Sequence, residues 1–236
     1  MFFFFGLSLE KMSVVVKFFV FKFQKNKFWA FSQMGLPKKL LKNARGLKFY
    51  KLLGTGGKTG FGLYPDFKTY CLLSVWDNNI DAHHFIKKNK FLSKYLEKAK
   101  SIRVLSLTPF QSIGRWSGIN PFSINYAIPK SKNTKVAILT RARISPIKIF
   151  RFWKSIPKAS KEISNAKGVY FYKGIGEIPF LEQATISLWS SLDDVKEFAY
   201  KSKIHKTIIR KTKSENWYLE ELFCRFYITK DYYLKQ

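Results

Sequence analysis

The 236-residue sequence predicts an α+β fold in which tandem ferredoxin-like (βαββαβ) repeats pack as an α/β barrel. Three observations predict it. A segment recurs: Gly46-Leu47-Lys48-Phe49-Tyr50-Lys51-Leu52-Leu53-Gly54 returns as Gly168-Val169-Tyr170-Phe171-Tyr172-Lys173-Gly174-Ile175-Gly176, identical at both glycines, the Phe, the Tyr and the Lys. Each copy leads to a strand-like run ending in Trp (Trp76, Trp189) and a Phe nine residues further on (Phe85, Phe198). Finally, a split β-α unit covers one sheet face with helices and leaves the other bare, and two such units satisfy each other by packing bare face on bare face.

The elements follow in order. Val14 to Phe23 is β-branched and aromatic and reads as a strand. Phe28 to Asn43 has helical character divided by Gly35 and Pro37. Strands follow at 46–53 and 68–76. Asp77 is placed to cap a helix from Asn78 to about Lys90, and Ile102 to Phe110 makes the fourth strand. The order then repeats. Lys135 to Ile144 is a strand, and Pro146 opens a helix to about Ala166 at its preferred early position. Strands follow at 168–175 and 182–189. Ser191 and Asp194 form an S-x-x-D capping signature for a helix from Leu192, and Trp217 to Thr229 closes the unit as a strand. The chain therefore divides into a first repeat at 13–111, a connector at 112–133 and a second repeat at 134–230.

Charge and cysteine bound the function. With 43 basic against 15 acidic residues the chain carries +28, which attracts polyanions, either nucleic acid or an anionic membrane surface. The lysines form no block of five and lie along the whole chain, which argues against a dedicated nucleic-acid stripe. Cys71 and Cys224 fall in strand-like runs with no metal-ligand spacing and read as buried thiols of a reducing compartment. Residues 1–11 are apolar but too short for a membrane span, and they lack the charge order of a signal peptide. A cytoplasmic protein in contact with a membrane surface is the expectation.

Several motifs carry candidate chemistry. Gly54-Thr55-Gly56-Gly57-Lys58-Thr59-Gly60 contains Gly-Lys-Thr after a strand, but Leu52 stands at the first glycine of a P-loop and no helix follows, which excludes phosphate cradling. The repeat identifies the loop as an insertion: Trp76 lies 22 positions after Gly54, and Trp189 lies 13 after Gly176. A loop of that kind over a cavity mouth is a candidate lid. His83 and His84 map onto Lys196 and Glu197 and read as surface residues. His205 falls opposite Leu92, a position that is apolar in one copy and His in the other, and so inward-facing. Such a residue serves either as a satisfied core histidine or as a neutral imidazole ligand to the iron of a haem. Trp116, in Gly114-Arg115-Trp116-Ser117-Gly118, and Trp217 are cavity-lining candidates that double as ordinary packing aromatics. Arg141 and Arg143 share the less apolar face of their strand, facing a carboxylate, a haem propionate or solvent.

Five segments together resemble the spheroidene monooxygenase family of carotenoid ketolases, related to the dimeric α/β-barrel monooxygenases. They are Phe28 to Gly35, Gly46 to Gly54 with its glycine-rich extension, Gly114 to Gly118, Val136 to Ala142 and Trp217 to Phe223. The resemblance runs from about Ser13 to Thr229. It implies an O2-dependent monooxygenase that places a keto group near the end of an acyclic carotenoid, with an electron donor as partner. It also implies a haem cofactor whose iron a helix His ligates, here His205, with Arg141 as a candidate propionate partner and Trp116 and Trp217 as substrate contacts. A different class stays open from charge and aromatic content alone: a non-enzymatic basic module that binds nucleic acid or an anionic membrane surface.

Overall fold

A computed structural model of the protein describes residues 14–36, 39–57, 62, 64–122, 134–201 and 203–236, without the side chains of 39, 40, 203–206, 208 and 209. The first repeat builds β1 (Val15–Lys22), α1 (Lys27–Gly35), α2 (Lys39–Lys42), β2 (Leu47–Gly56), β3 (Pro65–Trp76), α3 (Asn79–Lys88), α4 (Lys90–Lys98) and β4 (Ser101–Gly114). The second builds β5 (Val136–Ile144), a 3-10 turn at Pro146–Lys148, α5 (Ile149–Ser164), β6 (Val169–Gly176), β7 (Glu182–Trp189), α6 (Leu192–Lys201), α7 (Lys203–Ser214) and β8 (Tyr218–Lys235). Eight antiparallel strands close into one barrel in the order β1-β3-β2-β6-β7-β5-β8-β4. This is the α+β barrel of paired ferredoxin-like units.

The two halves repeat in atomic detail. Trp76 and Trp189 lie on the outer face, each donating its indole N–H to the serine two residues earlier, Ser74 at 3.0 Å and Ser187 at 2.9 Å. Asn78 and Ser191 cap the following helices by accepting from the amides of Asp81 (2.9 Å) and Asp194 (3.1 Å). The cap in the first half is therefore Asn78 rather than Asp77. Gly46 and Gly168, at φ +72° and +78°, lie against those same two aspartates, where any Cβ would collide with the carboxyl group. The glycines of the repeat seat the helix that follows each Trp.

Three stretches differ from the expected pattern. The helix after Asn78 breaks at Asn89, whose side chain accepts from the Phe91 amide at 2.8 Å and starts a second helix. Strand β4 runs on to Gly114, into the expected connector, of which residues 123–133 lie outside the described ones. Strand β8 continues to Lys235, where Lys235 Nζ donates to the Leu96 carbonyl at 2.7 Å. In the inserted hairpin, Gly57 N–H donates to the Tyr64 carbonyl at 2.6 Å, and the expected lid at residues 58–61 and 63 lies outside the described residues.

The barrel interior is a packed cluster drawn from both repeats, including Phe18, Leu73, Leu105, Leu139, Ile186, Cys224 and Phe226. These side chains fill the space between the two sheets. Closure is uneven. Strands β4 and β8 pair from Ile102↔Lys235 to Gly114↔Leu222, whereas β2 and β6 meet only at Gly54↔Gly176 and Thr55↔Ile175. The lysine shared by both copies bridges this short seam. Lys51 points inward and crosses to Glu177 at 2.5 Å, and Lys173 crosses the other way to Asp66 at 3.4 Å. Among the described residues no helix is long and apolar enough to cross a membrane.

Two outcomes follow for measurement. Lys51→Met and Lys173→Met should each lower the free energy of unfolding in urea by about 1–3 kcal/mol, because each leaves a mostly buried carboxylate short of a partner. Burial pushes the Cys71 thiol up to about 12 and raises Cys224 as well, so native protein at pH 8 should resist thiol alkylation that goes to completion in denaturant. Both folded values lie above those of the unfolded thiols. Stability should therefore fall as pH rises past about 8.5, where the unfolded chain begins to lose those protons.

Candidate functional site

The inward residues come first. Arg141 points into the barrel and is 2% exposed, its Nη1 donating to Glu220 and its Nη2 lying 3.4 Å from Glu182. Its guanidinium lies 5.7 Å from the ring centre of Trp116, and its Nε has no hydrogen-bond partner among the described residues. Trp116 is fully buried and donates its indole N–H to Glu177 at 2.6 Å, the same carboxylate that receives Lys51. Glu220 also accepts from the amides of Ser117 (3.0 Å) and Gly118 (2.7 Å). Burial pulls the Glu220 carboxyl upward, but those amides and Arg141 hold it below its ordinary value. The Gly114-to-Gly118 motif is thus a stopper for one end of the barrel. Gly114, at φ +94°, is pressed against the Glu221 carbonyl where no side chain fits.

The outer faces tell a different story in the two halves. Pairing registers align them residue for residue, because Val15 faces Trp76 as Val136 faces Trp189. One row across the first sheet reads Leu52, Leu72, Phe19, Val104, and its counterpart in the second reads Gly174, Thr185, Thr140, Phe223. The next row reads Tyr70, Phe21, Ile102 against Gln183, Ala142, Glu221. In the first half these side chains form one continuous buried cluster with α3 and α4. In the second half the described residues of this layer form two small clusters. One is built on Val136, Ile138 and Trp189, the other on Ile144, Phe152 and Trp217. Thr140, mid-strand between them, is exposed. Among the described residues large side chains have been exchanged for small ones, and the sheet face at these rows is hollowed relative to that of the first half.

Helix α7, which packs beside α5 and α6, carries His205. Its side chain lies outside the described residues, but its backbone position answers to Leu92 of α4, which is fully buried against the filled layer of the first half. The row beyond Thr140 exchanges charge as well. Lys17 and Ser106 in the first sheet correspond to Ile138 and Arg225 in the second. Lys17 is satisfied by Ser106 at 2.8 Å and Asn79 at 3.3 Å. Arg225 lies 5.3 Å from the Phe223 ring centre, and its buried Nε has no hydrogen-bond partner among the described residues. Burial lowers its pKa, against a smaller upward pull from Tyr200. A hollow floored by small residues, edged by Phe223 and supplied with an unspent guanidinium donor suits a flat apolar ligand with an anionic edge.

The four residues singled out from sequence are therefore not gathered in one place. Arg141 and Trp116 plug the barrel, whereas Trp217 packs on Ile144 and Phe152 at one end of the outer layer, its indole N–H donating to Glu215 at 2.9 Å. His205 belongs by position to that outer layer. His83 and His84 are exposed on α3. Arg225, Thr140 and Thr185 were missed. The signal for them was the exchange of Phe19 and Phe21 for Thr140 and Ala142, readable once the two first strands are aligned. Among the described residues no cluster of His, Cys, Asp and Glu could hold a bare metal ion.

A closed antiparallel barrel of two ferredoxin-like units makes this an α/β-barrel protein. Aldoxime dehydratase shares the fold, with a TM-score of 0.63 at 10% identity over 95% of this chain and 85% of that one. A second aldoxime dehydratase structure, crystallised with butyraldoxime, gives 0.61 at 11% identity over 94% and 82%. No family model matches the sequence. The chain is 34% identical over 198 residues to spheroidene monooxygenase of Rhodobacter capsulatus, spanning 84% of this chain and 82% of that protein. It is 31% identical to the Cereibacter sphaeroides protein of the same name, over 92% of this chain and 66% of that one. It is 30% identical to that of Rubrivivax gelatinosus, over 77% and 68%. The chain belongs to the spheroidene monooxygenase family.

Glu220→Gln should destabilise the fold by about 2–3 kcal/mol, since it weakens the pairing of a buried Arg141. The lowered pKa of Glu220 makes its contribution one that is present at neutral pH and lost as pH falls below about 4, through the folded value. Urea melts between pH 3 and 7 should show a flatter acid limb for the variant.

Proposed function

We propose that this member of the family is an O2-dependent haem monooxygenase that introduces a keto group near the end of an acyclic carotenoid, with the haem held in the hollow of the second half and His205 as its axial ligand. The observation that supports it most is the paired exchange at one place in the fold. Where the first half has Leu92 in one buried cluster with Phe19 and Phe21, the second has His205 on α7 and Thr140 and Ala142 on the sheet.

The residues present fit such a group. Arg225 Nε is a buried donor with no hydrogen-bond partner among the described residues, suited to a propionate, and Gly174, Thr185, Thr140 and Ala142 present only small side chains on the sheet face. When bound, haem supplies the activation of dioxygen, which no side chain can perform. The chain does the rest. His205 would hold the group from α7, and Arg225 would orient it by pairing with a carboxylate at its edge. The hydroxyls of Thr140 and Thr185 stand on the sheet side as short polar groups able to hold a water or a proton. Phe223 and its cross-strand neighbour Ile113, which is exposed, extend an apolar track along β8 and β4 on which a polyene can lie. Each insertion of one atom of O2 with release of the other as water takes two electrons and two protons and turns a methylene into an alcohol. A second insertion at the same carbon gives a geminal diol that loses water to the ketone, so the activity calls for an external donor of four electrons.

Protein titrated with haem should develop a Soret band at one equivalent. His205→Ala should shift that band and His205→Lys should restore a ligand field of different position. Arg225→Leu should weaken haem affinity by about tenfold while leaving the band position unchanged. A host accumulating acyclic carotenoids should yield keto products only with the unmodified gene. A His205→Ala spectrum identical to the parent would remove the ligand assignment.

A further inference from the structure

At the opposite end of the barrel from the stopper, where β1 ends and β3 and β4 begin, a second feature stands outside the proposed activity. Phe28 on α1 is 85% exposed, and Phe31, one turn later on the same face, is half-exposed and meets Phe67 edge-to-face at 5.6 Å. Tyr64 at the base of the β2–β3 hairpin adds a fourth exposed aromatic ring. Around these rings stand Lys22, Lys25, Lys27, Lys68 and Lys100, all exposed. Four of them, Lys22, Lys27, Lys68 and Lys100, line a depression of about 430 Å³. Asp66, the one carboxylate among its lining residues, is engaged by Lys173. Backbone pairing holds the basic group together, since Phe23 N–H donates to the Lys68 carbonyl and Lys100 N–H to the Lys22 carbonyl, both at 2.7 Å.

The internal symmetry supplies a control. The second half carries the matching edge-to-face pair, Trp153 on Phe180 at 5.8 Å, and Phe150 on α5 is 90% exposed. There two of the cations are answered: Arg151 pairs with Glu215 at 2.7 Å and Arg143 with Glu182 at 3.6 Å. The same aromatic ornament thus stands beside ion-paired arginines in one half and among clustered lysines in the other. An exposed aromatic centre with a cationic rim complements an anionic bilayer, whose headgroups meet the lysines while the rings enter the interface. Phe31 and Phe67 stand at 75° to one another, so they present no parallel faces on which successive bases of a nucleic acid would stack.

We propose that this end of the first half, formed by α1 and the starts of β3 and β4, docks the protein on the surface of an anionic phospholipid membrane. The proposal stands independently of the activity, because none of its residues lies in the hollow of the second half. Each lysine near such a surface contributes about fivefold to partitioning. The full chain should sediment with vesicles of phosphatidylcholine and phosphatidylglycerol at low salt, and not with phosphatidylcholine alone. Lys22→Glu/Lys27→Glu/Lys68→Glu should lower the partition coefficient by about a hundredfold, and Phe28→Ser/Phe31→Ser by about tenfold or more. Phe150→Ser should leave it within twofold of the parent. All these side chains are exposed, and circular dichroism checks that each variant is folded. Three results would overturn the proposal: no binding to the anionic vesicles, binding undiminished in both patch variants, or an equal loss in Phe150→Ser. Capture of a single-stranded oligonucleotide that the same lysine variant abolishes, with vesicles left unbound, would assign the surface to nucleic acid instead.

Discussion

The barrel is closed on one side by a long backbone ladder and on the other by a two-pair ladder that two lysine side chains bridge. Strands β2 and β6 share only two residue pairs, and a sheet edge left open there would expose a row of unpaired backbone groups. Lys51 and Lys173 bridge this gap, each leaving its own repeat to reach an acid of the other. Their presence in both copies of the repeated segment has this physical cause. A lysine that points into a barrel is costly unless it is met, and here each is met across the seam. Trp116, Glu177, Arg141 and Glu220 continue the first of these bridges into a network that seals one end.

Closure on a shared interior has a consequence for where the halves can differ. The inner faces pack against each other, so a change in one must be answered in the other. The outer faces have no such partner. In the first half that freedom is used for mass, with Phe19, Phe21, Tyr70 and Leu72 packed beneath α3 and α4. In the second half the same positions carry Thr140, Ala142, Gln183 and Thr185, and the helices stand over a divided layer. Among the described residues one half fills this layer with large side chains and the other carries small ones. The proposed haem site uses that difference, and the proposed membrane surface lies on the filled half, clear of it.

Much of this was legible in the sequence, for physical reasons that can be named. The repeated glycines and the two Trp residues mark backbone and packing requirements that recur with each copy, so the βαββαβ order and the barrel followed from them. The Ser191–Asp194 cap was readable because its chemistry is local. The break at Asn89 was not, since an Asn that caps a second helix looks like any polar residue within one. Strand β8 was read short because its last residues gain their place only by reaching the layer of the first half, where Tyr232 and Leu234 pack. Arg141 stood on the less apolar side of its strand in sequence, and that side proved to be the inner one, made polar by the Glu220 and Glu182 carboxylates it meets. The hollow itself needed the registers. Thr140 is an unremarked strand threonine until it is set opposite Phe19.

The central claim is that the second half is the first half with its outer layer emptied to take a ligand. It is tested most directly by refilling it with the first half's own residues. In a Thr140→Phe/Ala142→Phe variant, thermal unfolding and a haem titration should move in opposite directions. Tm should rise by several degrees as apolar surface is buried in existing space, and the Soret band should fail to develop. A variant that loses stability, as overpacking of a full layer would cause, while binding haem like the parent would contradict the account.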